Sequence, residues 1–227
     1  MGSTVRIRLA ALDMAGTTVV DDGIVERAFL EAIAAVDPAG SIERSEVLQF
    51  VRRTMGQAKI AVFTELLGGD RALAARANLA FERAYGEAVD RGEIRPIPGA
   101  PGAIQALREG GVRVCLTTGF APPTRERIIA ALGWSHTVDL ALSPGDAGRG
   151  RPWPDMILTA VLRLEIDDVR EVAVAGDTVS DLVAGWRAGA GIVAGVLTGA
   201  HGRAELEAAP HTHLLESVTE LPGLVLA

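Results

Sequence analysis

Three kinds of residue are scarce in this chain of 227 residues, and each shortage narrows what the protein can be. The only cysteine, Cys115, lies in an apolar run, so we expect a buried thiol in a reducing compartment and no internal disulfide. Aromatic residues make up 4% of a chain that is 48% hydrophobic, which predicts a core of Ala, Val, Leu and Ile. No apolar run is long enough to cross a bilayer, and no signal-peptide pattern is present. The sequence therefore predicts a cytoplasmic protein without a membrane partner.

Positively charged residues are the third scarce kind, with 22 Lys and Arg against 29 Asp and Glu. The net charge of −7 disfavours general binding to nucleic acid, although a small anionic substrate remains compatible with it. Of the 22 Lys and Arg residues, only Lys59 is a lysine. A buried lysine can lose its proton and attack a carbonyl carbon, whereas a guanidinium cannot. Composition alone leaves two interpretations of Lys59 open: a surface cation or a nucleophilic amine.

Two kinds of pattern divide the chain. Residues 21–97 have helical spacing of apolar residues and no strand candidate, which predicts an inserted all-helical cap. From Pro98 onward, short apolar runs alternate with helices, as they do in a doubly wound parallel sheet. The first apolar run, Val5 to Leu12, belongs to the same pattern. We therefore expect an α/β core of residues 1–20 and 98–227 that is interrupted by a helical cap domain of residues 21–97.

Polar residues follow four of the predicted strands, at the sheet edge where open α/β folds bind their ligands. They are Asp13 after the first strand, then Thr117, Thr118 and Gly119, then Arg151, and finally Asp177 with Asp181. Hydroxyls and backbone amides at a helix N-terminus can hold a phosphate, and an arginine can pair with it. The three carboxylates form a hard-oxygen cluster that suits Mg²⁺.

These segments resemble, in order, the four motifs of the haloacid dehalogenase superfamily. The motifs are Asp13–Thr18, Thr117–Gly119, Arg151–Pro152 and Gly176–Asp181. The resemblance implies that Asp13 is a nucleophile that accepts a phosphoryl group, which Thr118 and Arg151 would hold. It also implies a Mg²⁺ site made of Asp13, the Ala15 carbonyl, Asp177 and Asp181.

The first motif departs from the superfamily's phosphatases, which place a second Asp two residues after the nucleophile to protonate the leaving alkoxide. Ala15 occupies that position here. Because a positioned general acid is worth about 10²–10⁴ in rate, either the leaving group needs no acid or the chain is a poor phosphomonoesterase. Dehalogenases of the superfamily also lack this Asp, but they need no metal, and Asp177 with Asp181 argues against them.

The chain is most similar to one branch of the superfamily, the phosphonoacetaldehyde hydrolases or phosphonatases. Beyond the four motifs, that branch has a cap segment that matches Met55, Gly56 and Lys59, and its lysine forms a Schiff base. The only lysine of this chain falls on that position. The resemblance implies that Lys59 forms an iminium with the substrate. The iminium would accept the electrons of the carbon–phosphorus bond while the phosphoryl group passes to Asp13. Lys59 must be partly neutral to react, which predicts an amine that is desolvated or near another cation, with Arg52 and Arg53 as the candidates.

Two positions differ from the phosphonatases. The branch has a His three residues after the lysine, where this chain has Val62, and a Tyr after the second motif, where it has Phe120. Both family residues are thought to assist proton transfer or to orient the imine. His201 follows a strand end, but we expect an ordinary loop histidine there.

The prediction is a Mg²⁺-dependent hydrolase of a small carbonyl-bearing phosphonate. The residues predicted around the substrate are Ala15, Gly16, Thr17, Met55, Gly56, Thr117, Gly119 and Phe120. Two alternatives stay open. A phosphomonoesterase would act on a small phosphate ester and keep its activity after Lys59→Arg, and a non-catalytic phosphate-binding module would bind without turnover. The apolar cap helices also predict a homodimer.

Overall fold

A parallel sheet of six strands forms the centre of the protein, for which the computed structural model describes residues 5–227. Its strands are β1 (Leu9–Asp13), β4 (Arg113–Thr117), β5 (Leu140–Leu142), β6 (Val172–Gly176), β7 (Ile192–Val196) and β8 (His213–Leu215). All neighbouring strands run parallel, in the order β5-β4-β1-β6-β7-β8. The strand order reverses direction at β1, which places a ligand-binding crevice at its carboxyl end.

Helices cover both faces of this sheet. They are α5 (Ala100–Glu109), α6 (Pro122–Ala131), α7 (Pro144–Ala147), α8 (Asp155–Arg163), α9 (Val179–Ala188), α10 (Arg203–Glu207) and α11 (Leu221–Val225), with 3₁₀ turns at Val169–Glu171 and Val218–Glu220. In β1, Leu9 and Ala11 pack into one apolar cluster, and Ala10 and Leu12 pack into another on the opposite face. This alternation is what a strand buried on both sides requires. The predicted doubly wound α/β sheet is confirmed, although its first strand begins at Leu9 and not at Val5.

Four helices lie between β1 and α5 in the chain. They are α1 (Ile24–Val36), α2 (Arg44–Arg53), α3 (Lys59–Leu66) and α4 (Arg71–Asp90). Helices α1 and α3 both pack on the long helix α4. The apolar interior of this bundle includes Phe29, Phe63 and Phe81, all buried. The division into a core and a cap at residues 20 and 98 stays a prediction.

A short ribbon joins the ends of this helical segment to the core. Strand β2 (Val19–Val20) pairs antiparallel with β3 (Arg95–Pro96). The expectation of no strand within residues 21–97 is therefore wrong at Arg95–Pro96. Two residues are too few to carry an alternating pattern, and a proline gives no strand signal.

None of the helices described in residues 5–227 is both long and apolar enough to cross a membrane.

Candidate active site

A cavity of about 500 Å³ lies between the carboxyl edge of the sheet and the helical segment. Most of the predicted site residues line it, namely Asp13, Ala15, Gly16, Met55, Gly56, Lys59, Thr118, Gly119, Phe120, Arg151 and Asp177. Residues that are more than 160 positions apart in the chain, such as Asp13 and Asp177, meet here because their parallel strands end at the same edge. Thr17, Thr117 and Asp181 lie behind the cavity wall.

Asp13 and Arg151 form a buried ion pair at the floor of the cavity. Nη1 of Arg151 donates to Oδ1 of Asp13 at 2.6 Å and also to Oδ1 of Asp181. Within residues 5–227, Oδ2 of Asp13 has no hydrogen-bond partner, so this oxygen is available to attack an electrophile. Burial raises the pKa of Asp13 well above its ordinary value, and the nearby Asp181 and Asp177 add to the effect, against the Arg151 charge.

Three buried carboxylates, Asp13, Asp177 and Asp181, place one oxygen each within 4.8 Å of one another. Both oxygens of Asp177 are held, Oδ1 by the Thr17 hydroxyl at 3.0 Å and Oδ2 by the Ala200 amide at 2.7 Å. Burial and the Asp181 charge raise the pKa of Asp177 to about 6. The three carboxylates therefore repel one another, and the cluster has more negative than positive charge.

The cluster fits a divalent cation. Its donors are all oxygens, which Mg²⁺ prefers, and a single guanidinium, that of Arg151, is ion-paired with it among residues 5–227. Gly16 has a φ of +89° and lies against this cluster, where a Cβ would overlap the Asp177 carboxylate. Asp181 also accepts hydrogen bonds from the amide and the hydroxyl of Thr178, which makes it the most heavily engaged of the three.

The threonines of the first two motifs have different surroundings. Thr118 lines the cavity, and its hydroxyl accepts a hydrogen bond from the Phe120 amide at 3.3 Å. The Thr117 hydroxyl instead points back to the Leu12 carbonyl at 3.5 Å, and the Thr17 hydroxyl is used on Asp177. Thr118 is thus the threonine placed to contact a substrate directly.

Lys59 is the first residue of α3, and its side chain is only 6% exposed. Its ammonium nitrogen Nζ lies 5.1 Å from the ring centre of Phe120, 5.8 Å from that of Phe29 and 5.9 Å from that of Phe81. Within residues 5–227 it forms no ion pair, while the other buried cation of the cavity, Arg151, forms two. Lys59 is therefore a desolvated amine in an aromatic setting.

Burial, followed by the charge of Arg151, lowers the pKa of Lys59 to about 8, against smaller effects of Asp21 and Asp13. The prediction that Arg52 or Arg53 supplies the nearby cation is wrong. Arg52 pairs with Glu26 at 2.6 Å, and Arg53 lies over the Phe50 ring. Spacing along the helix could not show that Arg151, 92 residues away in the chain, would face the lysine.

The scarce aromatic residues are concentrated around Lys59. Five of the nine form one connected group, with ring centres 4.6 Å apart for Phe29 and Phe63 and 4.4 Å apart for Tyr85 and Phe120. Val62, at the family's histidine position, is 2% exposed and packs in the apolar interior. Neither Val62 nor Phe120 carries a group that can exchange a proton.

Several wall residues were not expected from the sequence, and two of them, His201 and Asp21, are titratable and buried or half-buried. His201, interpreted above as a loop histidine, is 8% exposed and lines the cavity. Its Nδ1 accepts a hydrogen bond from the Val179 amide at 3.0 Å, so Nε2 carries the proton and donates to the Arg52 carbonyl at 3.2 Å. Its position just after β7 was the available signal. Asp21 also lines the cavity, although it has only the sequence character of a helix start.

The helical segment docks on the core through backbone groups at this site. The Lys59 amide donates to the Gly119 carbonyl at 3.3 Å, and the Ser180 hydroxyl donates to the Met55 carbonyl at 3.0 Å. A Cβ at Gly119 would overlap the Gln57 carbonyl, so only glycine permits this approach. These contacts hold Lys59 over Asp13 and Arg151.

A parallel sheet with inserted helices and an acidic cluster at the sheet edge is the arrangement of one large class of hydrolases. The family model of haloacid dehalogenase-like hydrolases matches residues 7–189, and the chain belongs to this family. It is thus a hydrolase.

Individual relatives narrow the comparison. The chain is 27% identical to the phosphonoacetaldehyde hydrolase of Pseudomonas putida, over 96% of this chain and 91% of that protein. Among solved structures, a hydrolase from Pseudomonas syringae superposes with a TM-score of 0.83 at 22% identity, covering 95% of this chain and 96% of that one. A phosphonoacetaldehyde hydrolase-like protein from Oleispira antarctica gives 0.75 at 23% identity, covering 99% and 95%. The two structures establish the fold, and the first relative bears on the chemistry proposed below.

Proposed function

We propose that this protein is a Mg²⁺-dependent hydrolase that cleaves the carbon–phosphorus bond of a small carbonyl-bearing phosphonate similar to phosphonoacetaldehyde. The observation that carries the proposal is the state of Lys59, a buried amine with a pKa of about 8 and no ion pair within residues 5–227, in the same cavity as Asp13. A phosphate ester needs no such amine. The curated relative from Pseudomonas putida adds support, since it is named for this reaction.

The chemistry follows from where electrons can go. Direct cleavage of a carbon–phosphorus bond would leave a carbanion with no group to stabilise it. If neutral Lys59 first condenses with an aldehyde β to phosphorus, the iminium accepts the bonding electrons and an enamine leaves. Phosphorus then bonds to the free Oδ2 of Asp13, and water later hydrolyses the aspartyl phosphate. This leaving group needs no acid at position 15, which accounts for Ala15.

The other site residues bind the phosphonate group. Arg151, whose Nη1 lies 2.6 Å from Oδ1 of Asp13, would pair with the phosphonate oxygens. Thr118 also lines the cavity. Asp13, Asp177, Asp181 and the Ala15 carbonyl would hold Mg²⁺. When bound, the ion supplies positive charge that offsets the repulsion between the Asp13 carboxylate and the anionic substrate.

Borohydride trapping tests the proposal. The enzyme is mixed with phosphonoacetaldehyde and sodium borohydride, and the peptides are read by mass spectrometry. Because Lys59 is the only lysine, a side-chain adduct maps to this one residue. We expect a reduced adduct at Lys59 that requires substrate and is absent in Lys59→Arg, together with loss of phosphate release by that variant.

The alternatives predict other outcomes. A phosphomonoesterase would release phosphate from simple esters, form no adduct and keep its activity in Lys59→Arg. A phosphate-binding module would bind inorganic phosphate without turnover of either substrate. Either result would refute the phosphonatase proposal. We also propose that the protein is cytoplasmic and forms a homodimer, and a monomer in light scattering would refute the dimer.

A further inference from the structure

Imine formation requires a proton for the hydroxyl that leaves from the carbinolamine, and the usual positions cannot supply it. Val62 and Phe120 occupy the two places where the phosphonatases carry a His and a Tyr. The Tyr85 hydroxyl, next to Phe120, is buried without a partner in residues 5–227, but it does not line the cavity. The donor must be sought among the other residues of the cavity wall.

Most titratable groups of the wall near Lys59 are already engaged. The Asp22 carboxylate pairs with Arg95 at 2.7 Å, and the Glu26 carboxylate pairs with Arg52 at 2.6 Å. Both ring nitrogens of His201 form hydrogen bonds to the backbone. Glu205 is exposed and caps its own helix through the Gly202 amide. Asp13 and Asp177 belong to the acidic cluster that is assigned to phosphoryl transfer and cation binding, so Asp21 is the carboxylate that remains.

Asp21 is held in place by the start of α1. Its Oδ1 accepts a hydrogen bond from the Val25 amide at 3.1 Å, and its carbonyl accepts one from the Ile24 amide at 2.9 Å. These two bonds fix the carboxyl group at the cavity wall. Within residues 5–227, Oδ2 has no partner, so one oxygen remains available on a rigid support.

We propose that Asp21 is the acid–base catalyst of imine formation and imine hydrolysis at Lys59. This assignment rests on the proposed function, since it needs a carbonyl substrate that condenses with the lysine. In this assignment, the carboxyl group that holds the start of α1 transfers the protons for which the related enzymes are thought to use a His and a Tyr.

The proton balance of the step closes. The neutral Lys59 amine adds to the aldehyde, and the resulting carbinolamine keeps one N–H and one O–H. The Asp21 carboxyl gives its proton to the hydroxyl, the carbon–oxygen bond breaks, and water leaves with that bond's electrons. The nitrogen lone pair forms the iminium, and Asp21 is left as a carboxylate. After phosphoryl transfer, a proton from solvent adds to the enamine carbon and gives the product iminium. Water attacks this iminium, and Asp21 takes the proton that the water loses. The carbinolamine then breaks its carbon–nitrogen bond, its hydroxyl proton passes to nitrogen, and the aldehyde and neutral Lys59 are released.

The charges around Asp21 agree with this role. Burial raises the pKa of Asp21, so the carboxyl holds its proton to a higher pH than an exposed aspartate. Its backbone hydrogen bond to Val25 and the Lys59 ammonium of α3 act in the opposite direction. On α1, the charge of Glu26 raises the pKa and that of Arg27 lowers it. On α4, burial raises the pKa of the Tyr85 phenol and the Asp21 charge adds to the effect, so this neighbour stays neutral.

The rate of borohydride trapping, measured by rapid quench with phosphonoacetaldehyde, tests the assignment. We expect Asp21→Asn to form the Lys59 adduct about 10²-fold more slowly than the wild type, and Asp21→Glu to recover part of the loss. Asn can still accept the Val25 hydrogen bond, so the helix start is kept. Asp70→Asn is the matched control, because Asp70 also accepts a hydrogen bond from a first-turn amide of its helix, that of Leu73 at 2.9 Å, but lies outside the cavity wall.

A purely electrostatic role gives the opposite sign. Removing the Asp21 charge would lower the pKa of Lys59 further and increase its neutral fraction, so trapping would be unchanged or faster; that result would overturn the assignment. The failures are separable: a wild type that forms no adduct refutes the proposed function, whereas an adduct formed equally fast by wild type and Asp21→Asn refutes only the role of Asp21. If Asp21→Asn does not fold, Asp21→Ser keeps the cap and carries the same test.

Discussion

Two buried cations, Arg151 and Lys59, line the same cavity but have opposite kinds of neighbours. Arg151 is 5% exposed and Lys59 is 6% exposed, so both have lost nearly all of their water. Arg151 contacts the carboxylates of Asp13 and Asp181, whereas Lys59 is surrounded by the rings of three phenylalanines. Burial alone would lower the pKa of Arg151, but its two carboxylates outweigh burial and raise it. Burial lowers the pKa of Lys59 to about 8.

The difference teaches that partners, and not depth, decide what a buried charge can do. The sheet side of the site supplies a permanent positive charge beside Asp13, which suits the binding of an anion. The helical side supplies an amine that gains and loses its proton near neutral pH, which suits attack on a carbonyl. Each substitution below removes or weakens one side of this contrast.

Arg151→Met is expected to have the largest effect on stability. It leaves Asp13 and Asp181 buried without their cation, and breaking a buried pair in this way costs about 3–5 kcal/mol of unfolding free energy. Arg149→Met is the matched control, since the exposed Arg149 pairs with Asp155 at the surface and should lose no more than about 1 kcal/mol. Urea unfolding measures both, and equal losses would contradict the contrast.

Lys59→Met is expected to act in the opposite direction. The folded-state pKa of about 8 lies below the unfolded value of about 10.4, so below about pH 8 the charged form costs the wild type about 3 kcal/mol. The folded chain binds fewer protons in the interval between the two values, so wild-type stability rises with pH there. Lys59→Met lacks this dependence, and should be the more stable protein near pH 7.

The measurement is the difference in unfolding free energy between wild type and Lys59→Met at about pH 7 and about pH 9.5. We expect the advantage of the variant to shrink by about 2 kcal/mol over this interval. Taking the difference removes the titration of the groups that both proteins share. A constant difference would show that Lys59 has an ordinary pKa, and it would remove the main support for an imine mechanism.

The sequence predicted the site best where the same residue indicates both a place in the fold and a chemical role. Asp13 and Asp177 each end an apolar strand, and strand ends of a parallel sheet share one edge, so their meeting follows from the strand pattern alone. The single Lys59 was conspicuous by composition alone. Ala15 pointed to an unusual leaving group because a missing acid has a chemical consequence.

Contacts between distant segments were beyond the reach of the sequence. Nothing in the helix around Lys59 indicates that Arg151 faces it, because that distance depends on how the helices dock on the sheet. Asp21 has the sequence character of a helix start, and its backbone hydrogen bond to Val25 bears this out, so a second role was invisible. The ribbon formed by Arg95–Pro96 exists only through its partner strand and leaves no periodic trace.

Added Mg²⁺ is expected to stabilise the sheet side of the site. The ion would add positive charge to the three carboxylates of Asp13, Asp177 and Asp181, which Arg151 alone does not neutralise. Because the ion would bind the folded chain alone, about tenfold excess over its dissociation constant should add about 1.4 kcal/mol of stability, which is a rise in Tm of about 3–6 °C. Asp177→Asn should reduce the rise, since it removes one of the three carboxylates. Differential scanning fluorimetry with NaCl at matched ionic strength is the control, and an equal rise with NaCl would contradict the site.

His201→Ala should have the smallest effect. It removes hydrogen bonds that connect the helical segment to the core, but it leaves the charges of Arg151 and Lys59 in place. The ring accepts from the Val179 amide at the start of α9 and donates to the Arg52 carbonyl at the end of α2. Losing these bonds should cost about 1 kcal/mol of unfolding free energy. KM should rise severalfold with little change in kcat, as it should in Ser180→Ala, which loses the neighbouring bond to Met55. If kcat of His201→Ala instead falls by about 10²-fold at constant KM, the histidine takes part in the chemistry. The site would then depend on a third titratable group as well as on the two contrasting cations.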